Sequence, residues 1–498
     1  MGDSNRNRRG GKPALNVGLG FKGKVETTKG NAVQPQGALE RRLGVASAVA
    51  LIVGSMIGSG IFIAPAIMAG WVASPVLLVG LWAFGGLLTL LGALSYAELA
   101  ALFPEAGGQY LFLREAFGSR TAFLYGWTLF LVIQTGFHAA VSIAFAKHLA
   151  LLGLPVGEEH VLLSIGKWRL PAASLLACGV IIFLTWINVL GVREGAFVQN
   201  TFTLMKVLAV FFLALSCLVV GEPFQALRLG TPLGPNATHV GILGAMGAAM
   251  SKALFAYDAW NTVTFVAGEV REPERNLPRS LAWGTVLTTF AYLAVTFGYL
   301  AVIPIEEMPH LSEHRVGAEA AYRIWGELGR LGVTIAILVS TFGCVNGLIL
   351  GGARVFYAMA KDGLFFSYAK RIHPRFGTPS GGLWIQAIWS CVLAITGTYD
   401  ALLTYVTFAS LAFNALTVLA LFELRRQRPD LKRPYRVWAY PWLPLAYVLG
   451  ALFVLIYIFV GTPAESLAGL VVVGMGWVAY PFFAQNNHAH QGSKPPLA

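Results

Sequence analysis

Seven consecutive residues, Gly54-Ser55-Met56-Ile57-Gly58-Ser59-Gly60, place three glycines and two serines inside a stretch otherwise apolar enough to span a membrane. A spanning helix must satisfy every backbone N–H and C=O internally, because hydrocarbon offers no partner. A run that invites the helix to unwind at that depth is tolerable only where it lines a buried cavity. The run therefore predicts a ligand site near the bilayer midplane.

Composition supports the membrane setting: 498 residues, 56% hydrophobic and only 12% charged, with a mean hydropathy of +0.65. A soluble chain of this length could not hide so much apolar surface. At about 20 apolar residues per crossing, the sequence divides into about twelve segments. They lie near 44–70, 74–103, 117–151, 170–191, 197–220, 241–268, 281–304, 331–358, 381–398, 400–424, 437–461 and 465–484. Two separations rest on little, one at Asp400 and the other on Thr462-Pro463-Ala464-Glu465. The expected class is an all-α integral membrane protein.

The net charge of +12 invites a nucleic-acid reading, but the placement of the cations argues for topology instead. An inside N-terminus collects Arg6, Arg8, Arg9, Arg41, Arg42, Arg114, Arg120, Arg271, Arg275, Arg279, Arg371 and the cluster Arg425 to Arg436 on one side. The opposite loops hold fewer, chiefly Lys167, Arg169, Arg228, Arg315, Arg323 and Arg330. This is the positive-inside pattern, with both termini cytoplasmic. Residues 1–40 and 485–498 are expected to be tails, the first disordered and without an apolar core, and the first span directs insertion without a cleaved signal. The cysteines Cys178, Cys217, Cys344 and Cys391 all fall within spans and form no metal or disulfide pattern.

Segment six is interrupted as well, where Asp258 and Asn261 enter the run Phe255-Ala256-Tyr257-Asp258-Ala259-Trp260-Asn261. Two interrupted helices at matched places of an inverted repeat point to a transporter's binding site. A break at Gly58-Ser59-Gly60 exposes N–H groups at a helix start, which carries roughly +0.5 of a charge and suits a carboxylate. A break between Phe255 and Asp258 frees carbonyls at a helix end, which suit an ammonium group. An α-amino acid presents both groups together. The alternative is that Gly54 and Gly58, a G-x-x-x-G pair, merely allow close helix packing.

The run Ile52 to Phe62 resembles the first-helix signature of the amino acid–polyamine–organocation superfamily. Phe255 to Asn261, followed by Glu269, Pro273, Asn276, Leu277 and Pro278, is similar to the L-type amino acid transporter branch. So are Phe342-Gly343-Cys344-Val345-Asn346-Gly347 with Arg354, and Arg433-Pro434-Tyr435-Arg436-Val437. The resemblance covers about 41–484 and implies twelve helices in a five-plus-five inverted repeat, with discontinuous helices one and six. The repeats would be about 44–221 and 241–425, followed by two further helices at about 437–484. It also implies alternating access and, commonly, amino acid exchange, with bacterial serine/threonine exchangers among the similar members.

Carried over by position, the backbone of Ser59 and Gly60, assisted by Ser55 and Gly58, would bind the α-carboxylate. Carbonyls of Met56, Phe255 and Ala256 would take the α-amino group, and the Phe255 ring would close over the substrate as a gate. Asn261, Gln134 and Ser410 would shape the side-chain pocket. In the resembling family a lysine on helix five stands where sodium-coupled relatives hold a cation. Here Lys206 would tie helix one to helix eight near Ser340 and Thr341, implying sodium-independent transport.

Taken on the residues alone, Lys206 is costly at a helix centre and is either held by a partner or snorkels to an interface. Lys147 and Lys252 are expected to snorkel. Asp258 either meets the substrate, cationic or polar, or carries a proton, or only caps the broken helix. Glu98 and Glu269 are expected at helix ends or gates, and His138 as a packed histidine rather than a proton carrier. The loop Gly153 to His160 lacks the cysteine with which animal members bond a heavy chain, so the protein is expected to work alone as a monomer. Asn236-Ala237-Thr238 is formally a glycosylation sequon.

No nucleophile with its base, metal cluster or phosphate-binding loop is evident, so neither enzyme activity nor a cofactor is expected. A channel would show polarity along several helices rather than at one depth. A nutrient sensor on the same fold, or proton-coupled symport in place of exchange, is left open.

Overall fold

A computed structural model describes residues 41–491 apart from 42, 167, 238–239 and 398. The expected N-terminal tail and residues 492–498 lie outside the described residues, as does Thr238 of the sequon. The main helices are α1 (Val45–Met56), α2 (Gly60–Ala69), α3 (Pro75–Leu102), α4 (Gln109–Phe117), α5 (Ser119–Thr128) and α6 (Gln134–Leu149). They continue with α7 (Ala172–Leu190), α8 (Val192–Val220), α9 (Ile242–Tyr257), α10 (Thr262–Phe265) and α11 (Pro273–Val302). The last are α12 (Val316–Lys361), α13 (Ser380–Thr396), α14 (Tyr399–Gln427), α15 (Trp442–Gly461) and α16 (Pro463–Gln491).

Among the described residues, ten helical segments are long and apolar enough to cross a membrane, and two shorter apolar helices, α9 and α13, complete the expected twelve. The uncertain division at Asp400 is real, since α13 stops at Thr396 and α14 begins at Tyr399. The final helix runs past the expected limit of 484 to Gln491. Outward-facing Leu208, Phe212 and Leu215 on α8 are more than half exposed, the arrangement a hydrocarbon solvent requires.

Local chemistry sets several boundaries. Ser74 caps α3 by accepting the Leu77 N–H, and Pro75 starts the helix where a missing N–H costs nothing. The 46-residue α12 would be about 69 Å long if straight, too long for one crossing. Gly326 breaks it with φ 63°, ψ −149°, a conformation that other residues rarely adopt. The third span joins α5 to α6 through a π turn at Leu129–Ile133, where Thr135 donates to the carbonyl of Phe130, five residues back. The all-α expectation has one small exception: the loop after α6 carries a hairpin, β1 (Val161–Ile165) against β2 (Trp168–Pro171).

The first and sixth spans are the broken ones. α1 ends at Met56 and α2 restarts at Gly60. α9 ends at Tyr257, and Asp258–Asn261 form a turn before the short α10. In that turn Ala259 holds φ 68°, a left-handed conformation that is strained for an alanine. α11 packs on α1, α3 and α8, and α12 on α6 and α8, which encloses both breaks.

Candidate functional site

The two breaks touch. A Cβ built on Gly60 would lie 2.6 Å from Ala256 Cβ and 2.9 Å from its Cα, so only glycine permits this approach. Gly54 faces Gln199 and Thr203 on α8, and Gly58 faces Cys344 on α12. The glycine run thus serves close packing and helix interruption together, rather than one or the other. The start of the ten-residue α2 presents its first N–H groups at the break. The ends of α1 and α9 present carbonyls there. Ser55, Ser59 and Gly60 are buried among these ends.

The carbonyls of Met56 and Ala256 are both met by one side chain, Tyr292 of α11, whose Oη is 2.7 Å from the first and 2.8 Å from the second. The Phe255 carbonyl accepts the Asp258 N–H at 3.3 Å. The Phe255 ring stacks on Phe137 of α6, with centroids 4.6 Å apart.

Lys206 does not snorkel. It is 1% exposed, and its Nζ donates to the carbonyls of Gly54, Ile57 and Ser340, each at 2.8 Å. Ser340 Oγ donates to the same Ile57 carbonyl at 2.9 Å. The cation therefore joins the unwound end of α1 to α12. Thr341 is not part of this junction: its hydroxyl turns back to Ile337 and Leu338 of its own helix.

Lys252 departs from expectation. It faces α14 rather than an interface and donates to Thr404 Oγ1 at 2.9 Å in a buried setting. Lys147, nearer the edge, pairs with Glu158 at 2.8 Å.

Asp258 caps the break by accepting the Ala259 N–H at 2.7 Å and also bonds Ser410. It separates two small cavities. One, about 20 Å³, is bounded by Tyr257, Trp260, Asn414 and Tyr447 among others. The other, about 10 Å³, brings together Gln134, Phe137, Asn261 and Ser410 with Gln109. Each has room for about one water and neither for an amino acid. Asn261 Nδ2 lies 2.9 Å from Gln109 Oε1 and 3.3 Å from Asn414 Oδ1, donating to both. The remaining Gln109 donor, Nε2, is buried without a partner.

Gln109, Asn414 and Tyr292 escaped the sequence reading. Asn414 had a signal, since it stands four residues after Ser410 on one helix face. His138 lies outside both cavities as a packed histidine, with Nδ1 3.0 Å from Ser390 Oγ.

One end of the bundle is locked by buried ion pairs. Glu269 and Arg354 meet at 2.8 Å, each side chain 2% exposed. Beside them, before α1 begins, the Leu43 N–H donates to the Glu269 carbonyl at 2.9 Å and the Leu43 carbonyl accepts the Arg271 N–H at 2.8 Å. Glu98 receives both Arg425 nitrogens, at 2.9 and 2.6 Å, and the Val437 N–H at 2.7 Å. The free cysteines are buried or half-buried.

Residues 43–480 match the amino acid permease family. The chain is 30% identical to the mouse b(0,+)-type amino acid transporter 1 over 452 residues, which is 90% of this chain and 88% of that protein. It is 28% identical to the serine/threonine exchanger SteT of Bacillus subtilis, covering 84% of this chain and 91% of that one. With the human large neutral amino acids transporter small subunit 2 the identity is 30%, over 89% and 80% of the two chains. Both helix breaks and the lysine junction fall inside the matched region, and the chain belongs to the amino acid permease family.

Proposed function

We propose that this protein is a sodium-independent exchanger of neutral and cationic L-amino acids that works by alternating access. The observation that carries the reading is the meeting of opposite helix ends at Gly60 and Ala256, beside the buried carboxylate of Asp258. The start of α2 attracts a carboxylate and the carbonyl ends of α1 and α9 attract an ammonium group, so together they complement the part common to all amino acids.

In this reading the backbone of Ser59 and Gly60, with Ser55 and Gly58, takes the α-carboxylate. Carbonyls of Met56, Phe255 and Ala256 take the α-amino group, and the Phe255 ring closes over the bound molecule. Gln134, Asn261 and Ser410 line the side-chain pocket, to which we add Gln109 with its open amide donor. Asp258 faces the substrate side chain and favours a cationic one. Lys206 and Ser340 hold the α1 end in the place of a coupling cation.

The cation distribution of the loops supports cytoplasmic termini in a cell membrane. The two broken helices support repeats at about 44–221 and 241–425. A cysteine-free loop at 153–160 supports function as a monomer without a disulfide-linked partner, and the site supports transport rather than catalysis.

The test is counterflow in liposomes. Purified protein is reconstituted with neutral, cationic or no amino acid inside, and uptake of labelled amino acid is followed with and without sodium and a pH gradient. Uptake that requires internal amino acid and ignores sodium is expected. Uptake indifferent to internal substrate but driven by the pH gradient would replace exchange with proton symport, for which the buried Asp258 carboxyl is the natural carrier.

A further inference from the structure

Away from both helix breaks, an open groove of about 480 Å³ lies between α3, α11 and the segment that leads into α15. Small-molecule sites commonly measure about 300–1,000 Å³. Leu94 and Ala282 give the groove apolar walls, Tyr435 adds a phenol, and Glu274, Arg275 and Arg279 bring charge.

Arg275 and Arg279 stand one turn apart on α11, a spacing at which like charges repel. Both are exposed. Among the described residues neither side chain is ion-paired or hydrogen-bonded, whereas at the same end of the bundle Arg354 pairs with Glu269 and Arg425 with Glu98. The two guanidiniums thus keep all their donors for something outside the chain.

Beyond Arg279 the outer face of α11 turns apolar at helical spacing, with Trp283, Val286 and Phe290 exposed. Trp438 and Trp442, which follow Tyr435 in the chain, are exposed as well. Indole rings in such positions mark the membrane–water boundary. The groove therefore sits at headgroup depth, with a cationic end that opens onto a hydrocarbon-facing stripe.

We propose that this groove binds an acidic glycerophospholipid of the phosphatidylglycerol class, with its phosphate on Arg275 and Arg279 and an acyl chain along the outer face of α11. Planar guanidiniums hold phosphate oxygens in pairs, and basic pockets between spanning helices take lipid headgroups. Glu274 sets the charge that is accepted. Two cations and one carboxylate leave a single net positive charge in the groove, which a phosphodiester matches and a dianionic phosphate monoester exceeds. Hydroxyls of a glycerol headgroup donate to the Glu274 carboxylate, while a choline headgroup brings no such donor.

The test is lipid binding by the purified, delipidated protein, read by native mass spectrometry during titration with phosphatidylglycerol, phosphatidylcholine of the same chains, or glycerol 1-phosphate. Wild type is compared with Arg275→Gln, Arg279→Gln together, and with Arg371→Gln, Arg375→Gln together, which removes the same charge from exposed positions elsewhere. Wild type is expected to hold a single phosphatidylglycerol about tenfold more tightly than phosphatidylcholine, the scale of two arginines near an anionic lipid. The first variant should bring the two lipids within about twofold of each other, and the second should keep the preference.

Equal binding of both lipids by wild type, or an equal loss in the two variants, overturns the site and leaves only diffuse attraction to basic loops. Competition by glycerol 1-phosphate at the lipid's own concentration overturns the lipid assignment, since the headgroup alone would then suffice. The readout is binding and is separate from exchange, so its outcome stands whatever the transported substrate proves to be.

Discussion

Gly60 and Ala256 lie so close that the first methyl group added to the glycine would fall 2.6 Å from the alanine's own. The contact makes the two helix breaks one object. Gly60→Ala is therefore expected to abolish exchange by prising the breaks apart, even though alanine is a better helix former. Adding Ala256→Gly removes one colliding carbon but leaves the Cα at 2.9 Å, so it should restore exchange only in part. No rescue, with both variants well folded, would show that the glycine is needed for ligand access and not for this contact.

Asp258 combines a structural bond with a charge, and the two are separable. Asparagine at 258 retains a side-chain oxygen to accept the Ala259 N–H, now 2.7 Å away, but carries no negative charge. Asp258→Asn should raise KM for a cationic amino acid tenfold or more and leave a neutral one within about threefold. Competition assays with the two substrates measure this. Equal effects would assign the carboxylate to the turn or to coupling.

Lys206 supplies three carbonyls from two spans with hydrogens. Leaving a buried acceptor unserved costs about 1–3 kcal/mol, so Lys206→Met should lower the melting temperature and reduce exchange at least tenfold. Wild-type uptake should be unchanged when sodium is replaced by choline. Normal exchange by the methionine variant would remove the lysine from the mechanism.

Arg354 and Glu269 are both nearly inaccessible. Removing one partner strands the other charge, at about 3–5 kcal/mol, whereas removing both is far milder. Thermal melting should accordingly show Glu269→Gln as the less stable protein and Glu269→Gln with Arg354→Met as the more stable. The reverse order would mean that the pair contributes little to locking this end.

Both breaks were legible because they are written in residue types a spanning helix avoids: a glycine-serine run in one, an acid with an amide in the other. Lys206 was legible for the same reason, while its partner Ser340 came only from the family resemblance. Thr341 was not separable from Ser340 by sequence, because a hydroxyl can bond its own helix as readily as a neighbour, and here it does. Lys252 was misread since a lysine near a helix end normally reaches for water, and only tertiary packing against Thr404 turns it inward. Tyr292 carried no signal at all. Its partners are 236 and 36 residues away in sequence, and a tyrosine among aromatic and aliphatic neighbours reads as ordinary filling. The small cavities beside Asp258 are likewise a property of packing that no local pattern announces.

The π turn at Leu129–Ile133 adds one residue to the third span, and one residue turns everything after it by about 100° around the helix axis. Tyr125 and Leu129 before the end of that turn, and Gln134 and Phe137 after it, all border the same cavity. Deleting any single residue of the turn would leave the composition of the span nearly untouched yet swing Gln134 and Phe137 off the pocket wall together. Residue count within this span is consequently a harder constraint than residue type. Substitutions along its wall should retune selectivity, while an indel there should end transport outright.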